Sequence, residues 1–241
     1  MSSDYARRYP SKAKVKALWR SAMSALDYGA LLLDTVGNGS RPEPSPVECS
    51  HLTLLIPGLF GTRGVMQPFE TYLRFHGFQP RTVNLGLRSA RALKEARSYV
   101  EYRLQRIRSR SPFIERIDII GHSMGALVGL DLLGRGSLHN VDVRLVALGA
   151  PFRGTSAAYF LSPFSGAAAE LTPTCRSGPR PIPPFTINRE KFLSIAGELD
   201  TVVPAHSSWH GLAINETLPV DHAGLVLDER VHRHVAEFLK P

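Results

Sequence analysis

The chain has 241 residues, of which 43% are hydrophobic and 21% are charged, a composition typical of a globular protein. A chain of this length buries roughly 70–75% of its unfolded surface, which favours one main domain over two. The net charge of +8 calls for a search for nucleic-acid motifs, but zinc-finger spacing, aromatic RNA-binding strands and glycine-rich phosphate loops are all lacking, so we expect no nucleic-acid partner.

The first 46 residues are predicted to form an N-terminal element outside the main domain. Residues 11–36 place apolar side chains three and four positions apart, which is typical of an amphipathic helix with a basic opposite face. This helix either packs against the main domain or lies on an anionic lipid surface. Residues 37–46 are rich in glycine, proline and serine and are predicted to be a linker.

Signals for a cellular compartment are weak in this chain. Cys49 and Cys175 lack metal-ligand spacing and are expected to be two thiols rather than a disulfide. No apolar run reaches the ~20 residues that span a bilayer, and the basic N-terminus lacks the apolar core of a cleavable signal. We therefore expect a cytoplasmic protein, with residues 11–36 as the candidate for peripheral membrane contact.

From residue 47 onward, strand and helix patterns alternate. Apolar runs predict strands at 51–58, 80–85, 114–121, 143–151 and 191–200, and helical periodicity predicts helices at 89–109, 125–134 and 225–239. This alternation predicts an α/β fold, with a mostly parallel central sheet covered by helices on both faces. In such sheets, catalytic groups gather beyond the carboxyl ends of the strands.

The segment DIIGHSMGAL, residues 118–127, contains the most informative motif. Ser123 lies between Gly121 and Gly125 in a Gly-x-Ser-x-Gly pattern that, taken alone, is a weak signal, since it arises by chance in roughly one chain in ten of this length. Here it follows an isoleucine-rich strand and opens a helix rich in small residues, which is the setting of a nucleophile elbow. The glycines permit a sharp turn that lifts the hydroxyl above the sheet, beside N–H groups that can stabilise a developing negative charge.

Together with GHSMG, other segments resemble the α/β-hydrolase superfamily and, within it, the bacterial lipases and esterases. They are IPGLFGT, GAPFRGTSAA, AGELDTVVP and DHAGLV, in chain order. The likeness covers about residues 47–241 and implies an α/β-hydrolase domain over that range. It implies chemistry that needs no metal or organic cofactor.

The resemblance implies a Ser–Asp–His triad in the chain order that this fold uses. Ser123 would be the nucleophile, His222 the base that activates it, and Asp200 the acid that orients the base. The reaction would pass through an acyl-enzyme that water then hydrolyses. The less favoured alternatives are His122, His206 and His210 for the base, and Asp118, Asp142 and Asp221 for the acid.

The same resemblance implies an oxyanion hole made of backbone N–H groups. One donor would be Met124, directly after the serine, and the other would be Leu59. Lipases of this branch usually carry histidine before the oxyanion glycine, whereas this chain carries Pro57. Because of this departure, the second donor is either Leu59 or Phe60.

Residues 152–190 are long for a connection between two strands, and such a loop inside a compact domain is usually functional. AAYFLSPFSGAAAEL predicts two short helices, and the proline-rich SGPRPIPPF follows. We expect a small cap or lid at the mouth of the site, whose aromatic residues either line an acyl pocket or pack inward. The substrate-binding candidates are Tyr159, Phe160 and Phe164, with Leu161 beside them, and Phe60 of the oxyanion segment.

The sequence therefore predicts a serine carboxylic-ester hydrolase of the lipase or esterase type, acting on an ester or lipid small molecule. Two alternatives stay open. The same triad serves acyltransferases and thioesterases, and a hydrolase-like scaffold can bind a ligand without catalysis, although the complete triad argues against the latter. Acyl-chain length, leaving group and oligomeric state are not specified by the sequence.

Overall fold

The computed structural model describes residues 50–133, 138–173 and 187–240. Several predicted features lie outside these described residues: the amphipathic helix, the linker, the domain boundary near residue 47, both cysteines and the proline-rich stretch of the cap. Within the described ranges, no helix is long and apolar enough to cross a membrane.

In the described residues, six strands form one parallel sheet, which confirms the predicted α/β architecture. They are β1 (His51–Ile56), β2 (Pro80–Thr82), β3 (Arg116–His122), β4 (Asp142–Leu148), β5 (Phe192–Gly197) and β6 (Ile214–Leu218), in the spatial order β2-β1-β3-β4-β5-β6. The central strands are buried on both faces, so their sequences are mostly apolar. The edge strand β6, INETL, is absent from the predicted strands because its three central residues are all polar, so it contains no apolar run.

Helices cover both faces of the sheet, as predicted. In chain order they are α1 (Gln67–Phe75), α2 (Leu93–Arg110), α3 (Met124–Leu133), α4 (Ala158–Leu161), α5 (Gly166–Glu170), α6 (Ala205–Ser208), α7 (Gly224–Leu227) and α8 (Glu229–Leu239). Short 3-10 turns occur at Arg63–Met66, Gly86–Ala90 and Arg189–Lys191. The predicted single helix over 225–239 is in fact two helices, because Asp228 is extended and its carboxylate caps α8 by accepting the Arg230 N–H at 2.9 Å.

Two hydrophobic clusters fill the interior, one on each face of the sheet. Leu54 belongs to the cluster that also contains the buried side of α2 and most of α3. The next residue, Leu55, belongs to the cluster that contains the buried sides of α1 and α8. Neighbouring residues of a strand point to opposite faces, so these two helix layers sandwich the sheet. Its carboxyl edge is left for the loops that carry the predicted site.

The described part of the predicted cap forms the two short helices α4 and α5, and hydrogen bonds join it to the body on two sides. On one side, the Ser165 hydroxyl donates to the Ala90 carbonyl at 2.6 Å, and Glu170 accepts the Leu93 N–H at 3.2 Å. On the other side, the Thr155 hydroxyl donates to the carbonyl of Val202, two residues after Asp200. The described cap is therefore fixed to the body beside the carboxyl edge of the sheet.

Candidate active site

Ser123 is the single residue between the end of β3 and the start of α3. Its φ of 53° lies in the left-handed region, which costs a residue with a side chain roughly 1 kcal/mol. Two backbone bonds hold it there: its N–H donates to the Leu148 carbonyl at 2.8 Å, and its carbonyl accepts the Ala126 N–H at 3.1 Å. The serine therefore stands in a sharp, strained strand-to-helix turn, the geometry of a nucleophile elbow.

Each glycine of the Gly-x-Ser-x-Gly motif allows a close backbone approach. A Cβ on Gly121 would lie 2.4 Å from Cα of Ala126, and one on Gly125 would lie 2.2 Å from the carbonyl oxygen of Ile56. A third glycine, Gly58, brings the loop after β1 against the serine, since a Cβ there would lie 3.1 Å from Cβ of Ser123. The turn is thus packed on both sides without room for further side chains.

Asp200 and His222 form a hydrogen-bonded pair at the same edge of the sheet. Nδ1 of His222 lies 2.7 Å from Oδ2 of Asp200, and the other carboxylate oxygen accepts the N–H groups of Val202 and Val203, each at 2.8 Å. The Asp200 side chain is fully buried. A carboxylate only accepts, so Nδ1 carries the proton and Nε2 of the neutral ring is left as an acceptor.

Gly149 connects this pair to the serine turn. It directly follows Leu148, which accepts the Ser123 N–H. A Cβ on Gly149 would lie 3.2 Å from Nδ1 of His222 and 3.3 Å from Oδ2 of Asp200. Its φ of 57° adds a second reason for glycine. The end of β4 therefore passes directly beside the histidine–aspartate pair.

His122 makes a second connection between the serine turn and His222. The two imidazole rings are 4.6 Å apart, and Nε2 of His122 donates to the His222 carbonyl at 3.1 Å. Burial, reinforced by repulsion from His222, holds the pKa of His122 well below its usual range. The ring is therefore neutral at pH 7 and supports His222 through its backbone.

The other sequence candidates for the base lie in different surroundings. His210 is buried between Phe152 and Phe192, with ring centroids 5.0 Å and 5.3 Å away, as a core histidine. His206 is exposed on α6. Neither is paired with the Asp200 carboxylate as His222 is.

The alternative acids are each engaged elsewhere. Asp118 is bonded to Arg116 and His51 within the sheet, and Asp142 lies 2.5 Å from Nζ of Lys191 at the start of β4. The third alternative, Asp221, accepts the N–H of Gly224 at 2.7 Å and so holds the start of α7.

The two candidates for the second oxyanion donor differ in their hydrogen bonding. The N–H of Phe60 donates to Oγ of Ser89 at 2.7 Å and so is directed at that hydroxyl. Leu59 is partly buried against the core, and Met124, the first candidate donor, is the first residue of α3, where helix N–H groups lack intrahelical partners. Ser89 was missed by the sequence analysis because nothing in a lone serine 29 residues away signals this contact.

The aromatic residues of the cap that were predicted to bind substrate lie at its surface, whereas Phe60 lies in the turn after β1. Phe160 and Phe164 are 84% and 85% exposed, and Tyr159 and Leu161 are 47% and 42% exposed. Phe160 and Phe164 therefore do not pack into the body, which was the alternative to an acyl-binding role, whereas more than half of Tyr159 and of Leu161 is covered. In the part of the chain that the structure describes, no group of three or more histidine, cysteine, aspartate or glutamate side chains could hold a metal ion.

Solved structures similar to this chain include lipases and esterases, whereas neither family models nor curated proteins give a match. The mature lipase BlEst2 of Bacillus licheniformis aligns with 81% of this chain and 96% of its own length, with a TM-score of 0.62 and 14% identity. A structure from work on the metagenome-derived lipolytic enzymes LipS and LipT covers 81% of this chain and 96% of its own, with a TM-score of 0.61 and 15% identity. The Pyrococcus furiosus esterase Pf2001 covers 79% and 82%, with a TM-score of 0.55 and 17% identity. The chain therefore has the α/β-hydrolase fold, as its motifs predicted.

Proposed function

We propose that the protein is a serine carboxylic-ester hydrolase of the lipase or esterase type. The observation that carries this proposal is the Asp200–His222 hydrogen bond of 2.7 Å, formed at the sheet edge where Ser123 occupies a strained turn. Similar solved structures named as lipases and esterases support the same reaction class. The substrate is an ester or lipid small molecule.

In the proposed first step, the hydroxyl of Ser123 attacks the carbonyl carbon of the ester. Nε2 of His222 takes the hydroxyl proton, because Nδ1 already donates its own proton to Asp200. The Asp200 carboxylate stabilises the resulting imidazolium. The imidazolium then gives its proton to the departing alkoxide, and the acyl group stays on the serine.

In the second step, His222 takes a proton from water as the water attacks the acyl-enzyme. It then returns this proton to the oxygen of Ser123 as the bond between serine and acyl group breaks, which releases the acid and restores the free enzyme. The tetrahedral intermediates of both steps carry an oxyanion, which backbone N–H groups stabilise. We assign this role to Met124 at the start of α3 and to Leu59. Leu59 is preferred to Phe60 because the Phe60 N–H is already donated to Ser89.

Hydrolysis of p-nitrophenyl esters from acetate to palmitate tests the proposal. We expect wild-type turnover, and a loss in Ser123→Ala of about 10⁴-fold or more, since the nucleophile is removed. Ser109→Ala, which changes an exposed serine on α2, is the matched control and should retain full activity. An active Ser123→Ala variant, or a wild type inert on every ester, would contradict the proposal.

Two additions identify the nucleophile and the acceptor. A fluorophosphonate should label Ser123 and leave Ser109 unmodified, as read by peptide mass spectrometry. Adding a primary alcohol separates hydrolysis from acyl transfer. Free acid should remain the main product, whereas a product mixture dominated by the new ester would instead identify an acyltransferase.

A further inference from the structure

Residues 58–61 form a tight turn against the proposed nucleophile. The N–H of Gly61 donates to the Gly58 carbonyl at 2.9 Å, which closes a four-residue turn with Leu59 and Phe60 at its centre. Phe60 has a φ of 57°, at the turn position where glycine is usual. A backbone conformation that disfavours phenylalanine persists only when the surroundings hold it in place.

The surroundings on one side leave this turn little freedom. A Cβ on Gly61 would lie 2.6 Å from Cβ of Pro57, and a Cβ on Gly58 would lie 3.1 Å from Cβ of Ser123. The turn is therefore confined between the end of β1 and the serine. Its other side faces the 3-10 turn Gly86–Ala90.

Ser89 connects the two turns through its hydroxyl. Its side chain is fully buried, and Oγ accepts the Phe60 N–H at 2.7 Å while donating to the Gly86 carbonyl at 2.6 Å. A third bond, from the N–H of Gly86 to the Gly61 carbonyl at 3.0 Å, closes the contact. The hydroxyl uses both its donor and its acceptor capacity here, which alanine could not replace.

We propose that Ser89 is a positioning residue that fixes the Leu59 N–H in the oxyanion hole. The bond to the Phe60 N–H sets the orientation of the peptide plane between Leu59 and Phe60, and hence the direction of the N–H that precedes it. The inference rests on the proposed function, because it concerns the donor that stabilises the oxyanion. Ser89 acts only through this turn and does not touch the substrate.

Positioning and general support of the fold have different kinetic consequences. A misdirected N–H donor stabilises the transition state less but leaves substrate binding unchanged. As a result, kcat falls and KM changes little. A merely structural serine would lower the melting temperature without this pattern. Ser194 provides the comparison, because it is also fully buried and donates to a backbone carbonyl, that of Ser208 at 2.6 Å, in the body of β5.

The test compares Ser89→Ala with Ser194→Ala on one p-nitrophenyl ester. We expect Ser89→Ala to lower kcat about 10-fold, less than the 10²–10³ that accompanies outright removal of an oxyanion donor, with KM within about twofold. The inhibition constant of a trifluoromethyl ketone, whose adduct carries an oxyanion, should rise by the same factor as kcat falls. Ser194→Ala should change the melting temperature comparably and leave both constants unaltered, and Ser89→Thr, which keeps the hydroxyl, should recover part of kcat.

Other results overturn the inference. One such result is a kcat of Ser89→Ala that is no lower than the kcat of Ser194→Ala. The other is a Ser89→Ala variant whose KM for the ester increases while its inhibition constant for the ketone is unchanged. Amide exchange at Phe60 adds a measurement independent of turnover, since it should accelerate in Ser89→Ala more than in Ser194→Ala. An inert wild type that also fails to bind the ketone would instead defeat the proposed function, whereas an active wild type with an unaffected Ser89→Ala would defeat only the role of Ser89.

Discussion

Two histidine–aspartate pairs of the described chain have nearly the same geometry and different surroundings. Nε2 of His51 lies 2.5 Å from Oδ2 of Asp118, and Nδ1 of His222 lies 2.7 Å from Oδ2 of Asp200. Both aspartate side chains are fully buried. Distance and burial alone would therefore not distinguish a structural pair from a reactive one.

The difference lies in the other partners of each carboxylate. Asp118 also accepts two bonds from the guanidinium of Arg116, at 2.9 Å and 3.1 Å, so a permanent positive charge already compensates it. The second oxygen of Asp200 accepts main-chain N–H groups, which hold the carboxylate without supplying a full charge. In the proposed mechanism, its charge is thus available to stabilise an imidazolium on His222. The comparison teaches that the charged groups around a carboxylate indicate its role better than the histidine beside it does.

Asp200→Asn should have the largest effect. The amide can still accept from Val202 and Val203 but would present an N–H to Nδ1 of His222, which favours the tautomer with Nε2 protonated and unable to act as a base. We expect kcat to fall about 10³–10⁴-fold. Steady-state hydrolysis of a p-nitrophenyl ester measures this, with Asp221→Asn as the neighbouring control.

Asp118→Asn completes the comparison at the other pair. Losing the buried charge beside Arg116 leaves a partly buried guanidinium poorly compensated, so we expect a loss of unfolding free energy of about 3 kcal/mol, measured by urea titration. The folded fraction should keep its kcat. If Asp118→Asn abolished turnover while Asp200→Asn did not, the roles of the two pairs would have to be exchanged.

Much of the fold was predictable from local patterns. The buried strands and the helices α2 and α3 are recognised by their apolar runs and periodicity, which record burial directly. Two features cannot be recognised in this way. The strand β6 depends on its pairing at the edge of the sheet, and the division between α7 and α8 depends on the conformation of Asp228. These features depend on neighbours that are distant in the chain or on a single capping bond.

The candidate site shows the same division. Ser123, Asp200 and His222 belong to motifs whose neighbouring residues can be recognised in the sequence. The contacts of Ser89 and of His122 span 29 and 100 positions, so only the folded chain brings each beside its partner. The sequence pattern therefore indicates reactive groups more readily than the residues that position them.

Gly149→Ala tests whether the Asp200–His222 pair depends on its geometry. The new Cβ would lie 2.7 Å from Cδ1 of Leu225 and 3.2 Å from Nδ1 of His222, so the pair or the strand end must shift. We expect kcat to fall about 100-fold, because a displacement near 1 Å has that consequence at a catalytic group.

Gly77→Ala is the matched control for this substitution. Gly77 also has a positive φ, 85°, but nothing lies within 4 Å of the position of a new Cβ. Gly77→Ala therefore introduces the same backbone strain as Gly149→Ala, about 1 kcal/mol, but no contact with the Asp200–His222 pair. Its kcat should stay at the wild-type value. Equal kcat in the two variants would show that the pair tolerates the shift.

The smallest expected effect is a pH dependence of stability, to which His122, beside His222, contributes. Burial lowers the pKa of His122, so the folded protein excludes a proton that the unfolded chain binds below about pH 6.5. The contribution of the neutral His122 to the free energy of unfolding is fully present above that pH. It is lost progressively as the pH falls below it. Burial also lowers the pKa of His232, which adds a loss in the same direction.

His122→Gln should therefore reduce the decrease in unfolding free energy between pH 7.5 and pH 5 by about 1–2 kcal/mol, measured by urea titration at each pH. The exposed His139→Gln is the control and should leave the decrease as it is in the wild type. Parallel curves for His122→Gln and wild type would mean that His122 accepts its proton in the folded state as readily as in the unfolded chain. His122 would then be able to carry a positive charge beside the His222–Asp200 pair. The two histidine–aspartate pairs would differ less in their charged neighbours, because Arg116 beside the His51–Asp118 pair stays charged over this whole pH range.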